Sequence, residues 1–291
     1  MSCNFKTRAG FNLALELILF ALILIGCAVP RPEPIRLCPS AESTADALLN
    51  LRLNSQNAVS LKALGQCILR YYDDDKKIKK EKFNVRIWLN PPDQIRLHGD
   101  IFFNARGIDL GSNEHEFWLA LKPNEMGNSY QWGKWSEVGH IKEMMLNPKL
   151  VLEAFGIVDT NGGNWHLSNK QAFDVLTKQD KQGRIVKKIY INTCDYTIAR
   201  IEYFDRNTKV SVVTELTEHK QISEGFFAPT VIRIVNAQDN EEKAVSITLN
   251  LKSVKSAQFS EKLKDNLFIR PRAKAFEHIY RIIEGEWIKQ Q

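Results

Sequence analysis

The sequence predicts a mainly β chain, a sandwich or barrel of antiparallel strands, and three observations carry that reading. From about residue 61 the hydrophobic period is two. Phe83, Val85, Ile87 and Leu89 alternate with Asn84, Arg86 and Trp88, and Ile95, Leu97, Gly99, Ile101 and Phe103 alternate with Arg96, His98, Asp100 and Phe102. The junction Asn90-Pro91-Pro92-Asp93 is a turn by its chemistry, since neither proline can donate a ladder bond. Short strand-like runs then recur with turn signals between them, broken by a single clear helical stretch.

Taken in order, the chain opens with Lys6 and Arg8 ahead of an apolar run from Phe11 to Ile25, interrupted by Asn12 and Glu16. A spanning helix wants roughly 20 apolar residues, whereas a secretory core needs about 7 to 15 after a positive start. Residues 1–26 therefore read as a signal peptide. Leu24-Ile25-Gly26-Cys27 resembles the bacterial lipobox, which makes Cys27 the expected lipidated first residue and the attachment to a membrane surface. An uncleaved anchor with a chance cysteine is the alternative, and it too puts the remainder outside the cytoplasm.

Pro30, Pro32, Pro34 and Pro39 give residues 27–42 the character of an extended tether. Ser43, with Asp46 three residues on, signals the start of a short amphipathic helix over residues 43–57. After the two alternating runs, strands are expected at 116–121, 129–135, 164–167, 173–177, 185–191, 199–204, 210–216, 230–235 and 245–251. The helical stretch is Glu143 to Phe155, with Pro148 placed to kink or divide it, and a helix inserted between strands is well placed to be a lid. Phe276, Ile279, Tyr280 and Ile283 have helical spacing, so the tail over residues 272–291 is expected to hold a C-terminal amphipathic helix.

Composition bounds the function. Loss of the signal lowers the net charge only from +6 to +5, and no concentrated basic stripe of the kind nucleic acid requires is present. The apolar fraction of 44% and charged fraction of 25% are those of an ordinary globular chain, either one large all-β domain or two small ones. Of five cysteines, Cys3 leaves with the signal and Cys27 is lipidated, so Cys38, Cys67 and Cys194 allow one disulfide in any of three pairings. Cys67 and Cys194 read equally well as small buried thiols in apolar runs.

Catalytic chemistry is not expected. His98-Gly99-Asp100 and Glu114-His115-Glu116 are the ionisable candidates, and alternation puts His98 and Asp100 on a polar, solvated face, while the second group sits at a turn. The sequence contains no H-E-x-x-H, G-x-S-x-G or glycine-rich phosphate loop, so the leading enzyme alternative, a hydrolase, has no nucleophile motif behind it. No metal or cofactor is expected. "DDDKKIKKEK", residues 73–82, reads as a solvated hairpin tip, with contact to anionic lipid as the sharper alternative. Trp88, Phe102, Trp118, Tyr130, Trp132 and Trp135 add large apolar surface that could enclose a cavity, although strand patterns do not distinguish filled from empty interiors.

These stretches also carry a family likeness. "LLNLRLNSQNAVSLKALG", "PPDQIRLHGDIFF", "IDLGSNEHEFWLAL" followed by "YQWGKW", a helical insert, "KKIYINTCDYTIARIEYFD" and "LKDNLFIRP" together resemble the lipoprotein-localisation superfamily of LolA/LolB-like periplasmic carriers and outer-membrane receptors. The resemblance covers most of residues 45–271 and lies in the order of elements rather than in an invariant site. It implies an incomplete, half-open antiparallel β-barrel whose apolar face, closed by helices, takes up acyl chains. Cys27 makes the chain more similar to the receptor, itself a lipoprotein, and Ala28 in place of an aspartate leans towards the outer membrane. Gly107 to Leu110 is expected to complete a strand rather than to expose a membrane-inserting residue. The cavity lining expected on this basis is Phe83, Val85, Ile87, Leu97, Ile101, Phe117 and Leu119, with Met144, Met145 and Phe155 as lid. The expected partners are lipid or lipoprotein acyl chains, with the protein a monomer. A packed structural or sensory interaction module of the same fold is the rival reading.

Overall fold

The computed structural model describes residues 38–72, 75–102, 104–137, 147–237 and 244–290, which lie in one compact unit. The expected signal, Cys27 and its tether up to residue 37, together with Met144 and Met145, lie outside the described residues.

Strand follows strand because alternation follows alternation. The first run is β1 (Leu61–Tyr72), β2 (Ile78–Asn90), β3 (Gln94–Ile101), β4 (Asn104–Ser112), β5 (Glu116–Leu121) and β6 (Ser129–Lys134). The second is β7 (Asn164–Lys170), β8 (Phe173–Gln179), β9 (Ile185–Asn192), β10 (Ile198–Phe204), β11 (Val210–Ser223), β12 (Phe226–Asn236) and β13 (Ser246–Ser256). Each run is an antiparallel meander, and β1 pairs with β13 to join them. With β14 (His278–Ile283) and β15 (Glu286–Gln290) on the β6 side, the result is one sheet of fifteen strands that does not close, edged by β15 and β7. This is the expected half-open barrel. Gly107 to Leu110 lies within β4, with Ile108 and Leu110 buried.

The core lies on the inner face. Inward alternates of β1 to β5 and β8 to β13 pack with two helices, α1 (Thr44–Gln56) and α2 (Pro148–Ala154), into one apolar cluster. Ser43 caps α1, its hydroxyl oxygen accepting from Asp46 N–H at 3.1 Å. The helix buries only Ala47 and Leu51, leaving Leu49 and Leu53 about half exposed, at 51% and 46%. Pro148 does not divide the second helix but opens it. Asn147 caps that turn, and proline at the first helical position sacrifices no hydrogen bond.

The tail departs from expectation. Instead of an amphipathic helix, residues 278–290 form the β14–β15 hairpin, and β14 pairs with β6 in parallel, unlike every other neighbour in the sheet. The reason is local: Glu284 and Gly285 both have positive φ, 51° and 83°, the mirror-image turn whose twist matches flanking strands, and β-branched and aromatic residues on either side, Ile282 and Ile283 before it and Trp287 and Ile288 after it, suit a ladder. Ile282 points to the inner face and is fully buried, a position open because Gly133 of β6 has no Cβ; one there would stand 2.0 Å from Ile282 Cγ2.

A disulfide joins Cys38 to Cys194 in the β9–β10 turn, with Cα atoms 5.1 Å apart, so Cys194 is bridged rather than a free buried thiol. It closes a sequence separation of 156 residues, a constraint worth roughly 5 kcal/mol on a chain-entropy account. Cys67 remains a buried thiol, and burial pushes it up to about 12.

The outer face of β3 to β6 is not solvated, as the polar alternates had suggested. The segment between β13 and β14, which includes α3 (Glu261–Leu267), straps across it. Arg96 donates to the carbonyls of Leu267 and Ile269 at 2.9 and 2.8 Å, Asn113 to that of Phe268 at 3.0 Å, and Tyr130 to that of Pro271 at 2.7 Å. Trp118, Ala120 and Tyr130 form a second apolar cluster beneath Phe276 and Ile279. His98 is therefore buried, in contact with the Arg96–Asp109 ion pair, while Asp100 stays half exposed and pairs with Arg86. Alternation assigns a residue to a face but cannot say whether a distant segment covers that face.

Candidate functional site

Built from the strands upward, the inner face of β8 to β10 is an apolar floor between a polar row on one side and, on the other, buried Asp174, whose carboxylate accepts from Ala41 N–H at 2.9 Å. Leu176 of β8, Ile189 of β9 and Ile201 of β10 stand opposite one another across the ladders and are fully buried. Two residues along each strand, the next same-face row is Lys178, Lys187 and Tyr203.

α2 fills the space above the floor. Val151, Leu152, Ala154 and Phe155, with Ile157 and Val158 just after the helix, belong to the main apolar cluster. Among the described residues the inner face holds a cavity of about 20 Å³, lined by Cys67, Leu69, Phe83, Leu97, Ile234 and Val151 among others, little more than the space of one water.

Glu153 is the exception among the buried residues of this helix. Its carboxyl is 2% exposed and sits 2.7 Å by both oxygens from Lys187 Nζ, whose side chain is 13% exposed. The Tyr203 hydroxyl donates to the same carboxylate, and Lys187 also stands over the Tyr203 ring at 5.2 Å. Burial first, and then the Glu153 charge, push the Tyr203 phenol well above its ordinary value. Lys178 donates to the Asn161 carbonyl at 3.4 Å and lies 5.2 Å over the Trp165 ring; burial, followed by the neighbouring Lys187 charge, lowers its pKa. A wide groove of about 1380 Å³ runs along this rim, and Leu152, Glu153, Lys187 and Tyr203 are among its walls.

The expected lining residues fall together. Phe83 and Leu97 face the small cavity, and Val85, Ile87, Ile101, Phe117, Leu119 and Phe155 lie in the same cluster as packed core. The sequence reading missed the second meander's contribution, Ile234, Ile247 and Leu249, because which strands face one another is set by the β1–β13 pairing and not by any local pattern. It also missed the polar row, for which a signal existed: Lys187 occupies an inward position in the series Ile185, Lys187, Ile189, Ile191. Among the described residues no cluster has the makeup of a metal site, and no helix is long and apolar enough to cross a membrane.

No family model and no curated protein matches the chain by sequence. Solved structures do match. A Vibrio parahaemolyticus domain described as an outer-membrane lipoprotein-sorting protein aligns with 77% of this chain and 97% of its own at a TM-score of 0.53 and 13% identity. A DUF1329 family protein from Desulfovibrio piger aligns with 78% and 100% at 0.51 and 10%. A LolA superfamily protein from Nitrosomonas europaea aligns with 79% and 99% at 0.49 and 12%. The first two domains are matched over nearly their whole length, so this chain shares their fold, an open LolA/LolB-like sheet with helices on its inner face.

Proposed function

We propose that the protein is a lipoprotein of the bacterial envelope, lipidated at Cys27 and held on the outer membrane facing the periplasm, where it binds lipid or the acyl chains of other lipoproteins without covalent chemistry. The observation that carries this reading is α2, a short helix whose buried side chains other than Glu153 are all apolar, seated on the inner face of an open sheet. Its apolar contacts are exchangeable for those of a chain. Burying Val151, Leu152, Phe155, Ile157 and Val158 is worth about 1.5 to 3 kcal/mol each, so roughly 8 to 15 in all, and about fourteen methylenes at about 0.8 kcal/mol each return roughly 11. Near balance is what reversible loading requires. The lipobox-like end of the apolar N-terminal run and the proline-rich tether support the anchored location.

Native mass spectrometry of the protein extracted from its own host membranes tests this. Added masses matching acyl lipids or lipoproteins are expected, and ligand-free protein that takes up no added lipid would overturn it. The filled interior favours a second reading, a packed interaction module of the same fold for envelope proteins, since a carrier pocket needs several hundred Å³. That reading expects no lipid uptake and a protein partner on cross-linking.

A further inference from the structure

The polar row beside α2 has a composition that a packed sheet does not need. Lys178 and Lys187 stand directly opposite each other on β8 and β9, an arrangement that destabilises a ladder unless an anion neutralises it. The anion present is Glu153, brought in by a helix whose other buried groups are apolar. Among the described residues Lys178 has no ion-pair partner of its own. Immediately beyond the row lies the floor of Leu176, Ile189 and Ile201. Two cations and a hydroxyl at the edge of an apolar floor are complementary to an amphiphile with a negative head, and the buried surface of α2 imitates one: apolar side chains with a single carboxylate, its lysine, Lys149, being exposed.

We propose that Lys178, Lys187 and Tyr203 form a head-group site for an anionic single-chain lipid, a carboxylate or phosphate on an acyl chain, and that Glu153 occupies this site when α2 is seated. The site rests on the lipid-binding reading above and narrows its ligand class. An entering lipid replaces α2 twice over, its chain taking the place of Val151, Leu152 and Phe155 and its head taking the place of the Glu153 carboxylate. Asp159, the other carboxylate acting on Lys178, opposes the ligand and sets a limit on affinity.

The test compares three lipids with the same chain on the full-length protein by native mass spectrometry: palmitate, palmitoyl lysophosphatidylglycerol and the neutral monopalmitoylglycerol. In Glu153→Gln, where the built-in competitor has lost its charge, the anionic lipids are expected to bind at least about tenfold tighter than the neutral one, the worth of one charge-assisted contact. Adding Lys178→Gln and Lys187→Gln is expected to erase that preference while neutral binding persists. Tyr203→Phe alone, which keeps the ion pair, is expected to weaken anionic binding by a few fold. The tighter of palmitate and the lysophospholipid identifies the head group. Equal binding of all three lipids by Glu153→Gln, or a preference that survives loss of both lysines, overturns the head-group site and leaves lipid binding standing; no binding of any lipid by any variant overturns both.

Discussion

Two buried ion pairs sit on opposite faces of this sheet, and they are built for different purposes. On the outer face Arg96 and Asp109 belong to adjacent strands, with Trp118 Nε1 donating to Asp109 at 3.2 Å, Arg96 Nε donating to His98 at 3.0 Å, Arg96 Nη2 donating to Asp109 and Arg96 Nη1 donating to two strap carbonyls. Every partner is part of the sheet or of the segment bound over it. On the inner face Lys187 and Tyr203 belong to the sheet, but Glu153 belongs to a seven-residue helix that contributes little secondary structure of its own. Removing a charge from the first is expected to damage the fold. Removing one from the second is expected chiefly to release the helix, because Glu153 is the only charge tying it to the sheet among the described residues and Lys187 lines the open groove, where water can reach an unpaired ammonium.

The largest expected effect is that of Arg96→Met. It leaves Asp109 buried without its cation and the strap carbonyls without donors, so urea denaturation is expected to show a loss of about 3 to 5 kcal/mol. A loss below about 1 kcal/mol would mean that the strap does not depend on this pair. Glu153→Gln is expected to cost less, about 1 to 3 kcal/mol, because the amide still accepts from Tyr203. Its hydrogen-exchange signature is expected to be confined to residues 148–158 and their contacts, and uniform loss of protection would show that the helix is no separate unit.

Extremes of pH divide the two pairs more finely. Burial tends to raise the Asp109 carboxyl, but His98 and Arg96 outweigh it and hold it below the usual range. The stability it contributes is present above its unfolded value of about 3.9 and is lost as pH falls through the lower folded value. Tyr203 is shifted the other way, so its contribution is present below its unfolded value of about 10 and is lost as pH rises beyond that. Acid is therefore expected to loosen the strap and alkali α2, and limited proteolysis at each extreme, read as cleavage in 257–277 or in 148–163, checks the assignment. Cleavage of the same segment at both extremes would contradict it.

The smallest effect is also the most specific. Cys67 lines the residual cavity beside Val151, with its thiol pushed up to about 12, so iodoacetamide is expected to leave it unmodified in the native protein. Glu153→Gln is expected to speed its alkylation under conditions where the far-ultraviolet circular dichroism is unchanged. Equal rates in both proteins would show that α2 does not gate the interior.

How much of this was legible follows from the range of each interaction. The strand from 116 to 121 agrees with β5 at both ends because Phe117 and Leu119 against Trp118 and Ala120 is a pattern contained in six residues. The first helix was legible because its capping signal, Ser43 and Asp46, is equally local. The tail was misread because Phe276, Ile279, Tyr280 and Ile283 fit a helical stripe by spacing, whereas the Glu284-Gly285 turn and pairing to β6 decide otherwise. The polar faces of β3 and β4 gave no sign that residues some 170 positions later would cover them. At the candidate site the apolar lining was readable from parity. The charged row was not, since an inward lysine acquires meaning only once Glu153 and Lys178 are brought beside it.

The seam between β1 and β13 carries a consequence for how the chain reaches this state. Within each meander neighbouring strands are separated by few residues in sequence, so these hairpins have low loop-closure entropy and can form quickly and separately. The seam pairs Leu61 with Ser256, 195 positions apart, and among the described residues it is the one ladder that joins the two meanders directly. High contact order of this kind slows folding, which places the slow, collision-limited step at the meeting of two preformed half-sheets. Until they meet, β1 and β13 are both bare edges with open amides, the geometry that recruits strands from other molecules. The most dangerous moment for this protein is therefore expected just before its last seam closes, and a chaperone that shields a β edge would protect it better than one that shields a core.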